Sequence, residues 1–127
     1  MPVYLHSDLD SAIRQLSDPD LTKASPIHRG FVIGGASLYS ATLALPPSAQ
    51  AAFVNRILLT RIISPLFEQC DVYIPNLLEN AIIDGEEVNW QRASHPDLQA
   101  WAGFEVPEGV QQENGVEYEF QMWVRGC

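Results

Sequence analysis

The residues best placed to do chemistry are the glycine pair Gly34-Gly35 and the segment around it, 31–39. Three apolar residues come before the pair and predict a buried strand, and a helix is predicted to open at Ala36 or Ser37. A strand that ends at a helix start directs backbone N–H groups at one point, where the helix dipole also favours an anion. The segment therefore predicts an anion-binding turn, although a tight turn for helix packing needs the same glycines.

Histidine and cysteine, the other residue types suited to catalysis, form no recognisable site. His6, His28 and His95 are far apart in the sequence and are interpreted as structural or surface residues. Cys70 and Cys127 lack the spacing of metal ligands. No order of Ser, His and Asp, or of Cys and His, supports nucleophilic catalysis.

Length and charge limit the class of protein. A chain of 127 residues with 46% hydrophobic residues predicts one globular domain over positions 1–127. The net charge of −9 argues against nucleic acid or an anionic membrane as partners. It also disfavours a cofactor with several phosphates unless basic residues cluster locally. No signal peptide, apolar span or lipidation motif is recognised, so a cytoplasmic protein is expected.

Periodicity and turn residues predict the elements that position the glycine turn. They comprise an edge strand at Pro2–Leu5, a helix opened by Ser7 and Asp10 and ending near Ser17, a strand at 29–33, a helix from about Ser37 to Leu45, a buried strand at Arg56–Ile62, a further strand after Asp71, a loop at Leu77–Val88, and a helix capped by Ser94 and ending near Trp101.

A C-terminal hairpin is predicted around Asn114-Gly115, the strongest short-range turn signal. Its strands are placed at Phe104–Val110 and Val116–Val124. The second strand alternates between apolar residues and a polar set that includes Glu117 and Glu119. One face of the hairpin is therefore expected to meet solvent.

Five segments in this order resemble the C-terminal part of dihydrofolate reductase in its fungal form: Ser7–Ile13, Phe31–Tyr39, Arg56–Ile62, Cys70–Pro75 and Gly115–Trp123. The resemblance covers nearly the whole chain. It implies an α/β fold, a truncated dihydrofolate-reductase-like mixed sheet flanked by helices, with an antiparallel hairpin at its C-terminal edge.

The resemblance also implies a cofactor site at the glycine turn. Gly34 and Gly35 match the family's glycine pair, with a cis peptide bond and contact with cofactor phosphates. The backbone N–H groups of Ala36, Ser37 and Leu38 complete this site.

Ile33, Tyr39 and Thr60 match positions that line the pterin and nicotinamide pocket. Tyr39 and Thr60 are the candidate catalytic hydroxyls, and Ile33 is a candidate pocket residue. As alternatives, Thr60 is an ordinary strand residue and Tyr39 a core aromatic with a solvated hydroxyl.

Several parts of the family pattern are not found: the first central strand, the mobile loop over the nicotinamide and the helix with the acidic residue that binds the pterin. In the family, that strand lies between the strands expected at 29–33 and Arg56–Ile62. Without it, two rows of backbone groups need partners. The two strands pair directly, a second copy donates a strand as a homodimer, or another protein fills the gap; direct pairing or dimerisation is favoured.

Three functions follow from a retained glycine turn without the acidic residue. The first is a non-redox small-molecule enzyme of fungal secondary metabolism that isomerises, cyclises or dehydrates a small organic substrate and requires no cofactor. The second is NADPH-dependent reduction of dihydrofolate, regained by complementation with an N-terminal partner. The third is a non-catalytic module that binds a small molecule or a protein.

Overall fold

The computed structural model describes residues 4–17, 29–48, 52–74, 81–83, 86–88 and 90–126. Its helices are α1 (Leu9–Ser17), α2 (Ala36–Leu43) and α3 (His95–Ala102). Its strands are β1 (Arg56–Ser64), β2 (Ala81–Ile83), β3 (Glu86–Val88), β4 (Gln91–Arg92), β5 (Gln111–Glu113) and β6 (Val116–Val124). The α/β class predicted from the sequence is confirmed.

Strand β6 is the centre of a four-stranded sheet. β1 pairs along one of its edges, from Arg56 opposite Val124 to Ser64 opposite Glu117, with an irregularity between Ile62 and Ser64. β4 and β5 also pair with β6. All the described pairs in this sheet are antiparallel, and β2 and β3 form a separate antiparallel hairpin.

The hairpin of β5 and β6 confirms the turn at Asn114-Gly115. Both residues have positive φ, 51° and 78°, as a type I′ turn requires. β6 has the predicted bounds, but the first strand is β5 and not 104–110. A two-residue turn pairs the residues that flank it directly, so β5 has to end at Glu113.

Helix α3 packs on β6 and forms the core. Leu98, Val106 and Met122 are buried together, against Trp101 and Val124 among others. The predicted start of the helix is confirmed, because the Ser94 hydroxyl accepts a hydrogen bond from the Asp97 N–H (3.3 Å). Gly103 ends the helix in the left-handed region, with φ of 81°.

The other face of β6 is more buried than predicted. Gln121 is buried, and its side-chain oxygen accepts hydrogen bonds from Arg61 Nε (3.3 Å) and Trp123 Nε1 (2.9 Å). Glu119 is mostly covered and lies 3.5 Å from Arg92. The expectation that Glu117 and Glu119 face open solvent is therefore wrong, because side chains of the neighbouring strands β1 and β4 cover this face.

Three strand predictions are also wrong for the described residues. Residues 29–33 and 72–74 belong to no strand, and neither do Tyr4 and Leu5. These segments lack a neighbouring strand, and a strand forms only with a hydrogen-bonded neighbour. Direct pairing of 29–33 with β1, one of the two favoured outcomes, is thus excluded. The region predicted as a loop at Leu77–Val88 contains β2 and β3.

β1 is not the buried strand that its apolar run predicts. Leu58 is 51% exposed and Ile62 41% exposed. The described residues cover one edge of β1 and leave these side chains open.

Some predictions fall on parts of the chain outside the described residues. These are His28, Cys127, the first residues of the predicted edge strand, and 77–80 with 84–85 of the predicted loop.

Arg125 joins α2 and β1 to the end of β6. It is buried, and its guanidinium donates to Val54 O from Nε (2.7 Å) and to Leu45 O from Nη2 (3.0 Å). The guanidinium also lies over the rings of Phe53 and Trp90. Burial lowers the pKa of Arg125, since a charge is costly to remove from water. Leu45 follows α2 and Val54 precedes β1, so this side chain fixes both segments to the sheet.

We predict that Arg125→Met lowers the free energy of unfolding by about 2–4 kcal/mol, because two hydrogen bonds from a charged donor are lost while the apolar stem is kept. Denaturant unfolding measures the change. Arg92→Met is the matched control, since its ion pair with Glu119 is partly solvent-exposed and contributes about 0–1 kcal/mol. Equal stability of the two variants would contradict the joining role of Arg125.

The start of α1 generates a prediction about pH. The cap is Asp8 and not the predicted Ser7: its carboxylate accepts the Ser11 N–H (2.8 Å). Hydrogen bonds from the backbone and the side chain of Ser11 lower the pKa of the Asp8 carboxyl below its usual value of 3.8. The charged cap therefore stabilises α1 above pH 3.8 and is lost as the pH falls through the lowered pKa.

We expect the backbone amides of α1 to lose protection against hydrogen exchange as the pH falls below 3.8 and Asp8 becomes protonated. Asp8→Asn keeps a capping side chain without a charge, so its exchange should not show this step. The same acid step in both proteins would show that another group is responsible.

Candidate functional site

The glycine turn leads directly into α2, as predicted. Gly34 has a φ of 103° and Gly35 an extended backbone, with φ −84° and ψ −155°. The peptide bond between them is cis, as the family resemblance implies. α2 begins at Ala36, and the Tyr39 N–H donates to Gly35 O (2.9 Å) in its first turn.

Tyr39 lies against the turn. A Cβ atom added at Gly34 would be 3.4 Å from the Tyr39 hydroxyl oxygen and 3.5 Å from its Cζ. The tyrosine ring therefore covers the face where a side chain at this position would project. Such a Cβ would be at ordinary contact distance from the ring, so it is the positive φ that makes glycine necessary here.

The start of α2 is open to a ligand. Among the described residues no side chain caps it, and apart from the chain neighbours of Gly35 none of their atoms lies within 4 Å of where a Cβ on Gly35 would be. Ser37 and Leu38 are exposed. Arg29 is the only charged residue between positions 29 and 48, so no carboxylate in this segment opposes the positive end of the helix dipole. These features suit an anionic group held by backbone N–H groups.

The other end of α2 is anchored. Thr42 and Leu43 are buried, and the Thr42 hydroxyl donates to Leu38 O (2.9 Å). Together with the bond from Arg125 to Leu45 O, this fixes the helix by its C-terminal half. Its N-terminal turn stays accessible.

The structure does not bring all the predicted site residues together. Gly34, Gly35 and Tyr39 are in contact, and Ala36, Ser37 and Leu38 follow at once. Thr60 is on β1 opposite Phe120, and no Cα atom of α2 lies within 8 Å of a Cα atom of β1. Ile33 is 89% exposed. A shallow depression of about 430 Å³ is lined by Leu66–Cys70 and by none of these residues.

Trp101 makes contacts near the glycine turn that the sequence did not predict. Its ring lies 4.0 Å from the Arg29 guanidinium and 5.5 Å from that of Arg56, and it meets Phe31 edge-on at 6.1 Å. One indole on α3 thus contacts both the segment before the glycine turn and the start of β1. No local pattern around Trp101 indicates this role, because its partners are far away in the sequence.

The described histidines and Cys70 have ordinary surroundings. His95 Nε2 donates to Val106 O (2.7 Å), and its Nδ1 lies 3.8 Å from Glu108. His6 Nδ1 is 3.0 Å from the Ser11 hydroxyl. Within the described residues there is no cluster of His, Cys, Asp and Glu that could hold a metal ion. None of the helices described has the length and apolar character of a membrane span.

Two curated proteins are similar to this chain over nearly its whole length. A dihydrofolate reductase of Cryptococcus neoformans var. neoformans serotype D is 36% identical over 134 residues, which cover 94% of this chain and 56% of that protein. A dihydrofolate reductase of Pneumocystis carinii is 38% identical over 124 residues, 97% of this chain and 55% of that protein. No family model matches the chain.

The protein has an α/β fold in which a glycine turn leads into the start of α2. The chain belongs to the dihydrofolate reductase family, and it spans about half the length of the curated relatives it matches.

We predict that Gly34→Ala lowers the free energy of unfolding by about 1–3 kcal/mol, because a Cβ in the positive-φ region is strained. Gly35→Ala is the matched control, since its φ of −84° is ordinary. Denaturant unfolding compares the two variants. If Gly34→Ala is no less stable than Gly35→Ala, position 34 does not hold the positive φ described.

Proposed function

We propose that this chain supplies the glycine-turn half of a dihydrofolate reductase site and acts together with further polypeptide, in the same or another chain. The proposed reaction is reduction of dihydrofolate by NADPH. The observation that carries the proposal is the uncapped, carboxylate-free start of α2 behind Gly34-Gly35, in a chain 36–38% identical to two dihydrofolate reductases.

The residues at the turn fit the phosphate part of such a cofactor. An anion at the start of α2 would accept from the N–H groups of Ala36, Ser37 and Leu38. Gly35 allows close approach because it has no side chain and, apart from its chain neighbours, no described atom lies within 4 Å of the position of an added Cβ. When bound, the cofactor supplies the hydride. The Tyr39 hydroxyl, packed on Gly34, is the proposed hydrogen-bonding group of this chain nearest to the turn.

The open surface around β1 supports the need for further polypeptide. Among the described strands, β1 pairs on one edge only, and Leu58, Ile62 and Ile33 are exposed. Thr60 does not reach Tyr39 in the described structure, so a pocket that uses both hydroxyls needs material between them. We expect the protein to act in the cytoplasm.

A non-redox enzyme of fungal secondary metabolism is the second candidate. Ile33 and Leu38, both exposed on either side of the glycine turn, offer an apolar surface for an organic substrate larger than a pterin. This candidate needs neither NADPH nor a partner. A non-catalytic binding module would use the same surface without turnover.

Mixing experiments test the main proposal. We expect this chain alone not to oxidise NADPH with dihydrofolate, and a mixture with the part of the Cryptococcus relative that this chain does not cover to do so. NADPH absorbance follows the reaction, and the added fragment alone is the control. Turnover by this chain alone contradicts the need for further polypeptide, and an inactive mixture contradicts the proposal.

Tyr39→Phe should lower turnover of the active mixture about tenfold, the effect of losing one hydrogen bond of roughly 1.4 kcal/mol. Tyr118→Phe is the control, because that hydroxyl lies beside Glu113 on the hairpin. Tight NADPH binding by this chain alone, seen by fluorescence, would argue against the non-redox candidate.

A further inference from the structure

We propose that two copies of this chain associate through their β1 strands, which pair antiparallel across a two-fold axis at Thr60. The free edge of β1 carries this inference. The sheet order places β6 on one side of β1, and no described strand pairs with the other side.

The direction of the free backbone groups follows from the ladder. The Arg125 N–H donates to Asn55 O at the start of the β1–β6 pairing. Residues that bond toward a neighbour alternate with residues that point away from it. Leu58, Thr60 and Ile62 therefore direct their N–H and C=O groups away from β6, to the open edge.

This edge has few of the features that keep edge strands from associating. Natural sheets protect long edges with charged side chains, above all lysine, and with prolines or bulges. Between Arg56 and Ile62 there is no proline, glycine or lysine, and the irregularity of the strand comes only after Ile62. Of its two charged residues, Arg56 is at the end of the strand and Arg61 is hydrogen-bonded to Gln121, so the stretch from Leu58 to Thr60 is suited to receive another strand.

The sequence of β1 is complementary to itself. With Thr60 opposite Thr60 of the second copy, Leu58 lies opposite Ile62 twice, and the regular part of the ladder ends before Ser64 because of the irregularity after Ile62. Leu58 and Ile62 are the exposed apolar side chains of this strand face, and the pairing covers them. Because free-edge residues must face each other, the register can shift only in steps of two residues, which moves the axis to Leu59 or Arg61; only the register centred on Thr60 places Leu58 opposite Ile62.

Charge does not oppose this arrangement locally. Each chain has a net charge of −9, which resists association in general. β1 carries two arginines and no carboxylate, so two acidic chains repel least along it. Arg61 donates to Gln121 and lies opposite Glu119 in the ladder, so a carboxylate of its own chain is on the neighbouring strand.

The segment before the glycine turn does not occupy the edge. Arg29 and Phe31 contact the Trp101 ring, and among the described residues this segment makes no backbone hydrogen bond to β1. Ile33 is 89% exposed, so this end of the segment is not packed against β1 and leaves its edge accessible to a second copy.

The state of association of the chain alone is the first test. We expect sedimentation velocity to show a species of twice the 14.1 kDa chain mass that dissociates on dilution. A monomer at every concentration overturns the proposal.

Charge substitutions at the axis test the register. Thr60→Lys and Thr60→Glu each place like charges face to face and should give monomers, because Thr60 is exposed and its replacement spares the fold. An equal mixture of the two variants should restore the dimer. Gln112→Lys, an exposed site on β5 with the same charge change, should dimerise as the unchanged chain does. Dimers of Thr60→Lys alone, or a mixture that stays monomeric, overturn pairing at this register.

A measurement on the unchanged chain tests the proposal whether or not the variants fold. Amide exchange at Leu58, Thr60 and Ile62 should slow as the concentration of the unchanged chain rises, while exchange on β5 stays constant. Exchange independent of concentration overturns the proposal.

The dimer and the completed reductase site would use the same edge, so they exclude each other; this last point rests on the proposed function. Adding the complementary fragment of the relative should then convert the dimer to a mixed complex. The association experiments require no fragment, cofactor or substrate. Failure of the dimer is therefore distinguishable from failure of the proposed function.

Discussion

The fold depends on one buried cation without a carboxylate partner among the described residues. The Arg125 guanidinium donates from Nε and Nη2 to the carbonyl oxygens of Val54 and Leu45 and lies over two aromatic rings, while its buried Nη1 has no hydrogen-bond partner among the described residues. A buried charge tolerates only an arrangement that keeps its hydrogen bonds. The start of β1 and the end of α2 are therefore held in one position relative to β6.

This anchorage explains why the candidate site is open. α2 is fixed through Thr42, Leu43 and the carbonyl of Leu45, all at or beyond its C-terminal half. Its N-terminal turn follows the glycine pair, and Ser37 and Leu38 in it are exposed. The same helix thus has a structural end and an accessible end, and the accessible end is the one whose dipole favours anions.

The described sheet has β6 as its central strand and β1 at one edge. The core of Leu98, Val106 and Met122 lies under β6 and α3, so β1 is covered on one side only. On the other edge of this nine-residue strand, no described strand supplies partners for the backbone groups. The chain spans about half the length of the relatives it matches, and in both of our proposals the segment that pairs with this edge comes from further polypeptide.

The sequence by itself determined the features that depend on neighbours within a few residues. The glycine turn, the start of α2, the Ser94 cap of α3 and the turn at Asn114-Gly115 were predictable, since φ preferences and local hydrogen bonds act over short windows. Family membership was also recognisable, because the order of segments is a property of the sequence.

Only the tertiary structure decided the rest. Residues 29–33 have a strand-like sequence but no strand, because a ladder needs a partner that no local pattern supplies. The separation of Thr60 from Tyr39, the burial of Gln121, and the joining contacts of Arg125 and Trp101 link positions far apart in the chain. Such contacts depend on how complete segments pack, so the sequence names the residues of the site while the packing decides which of them meet.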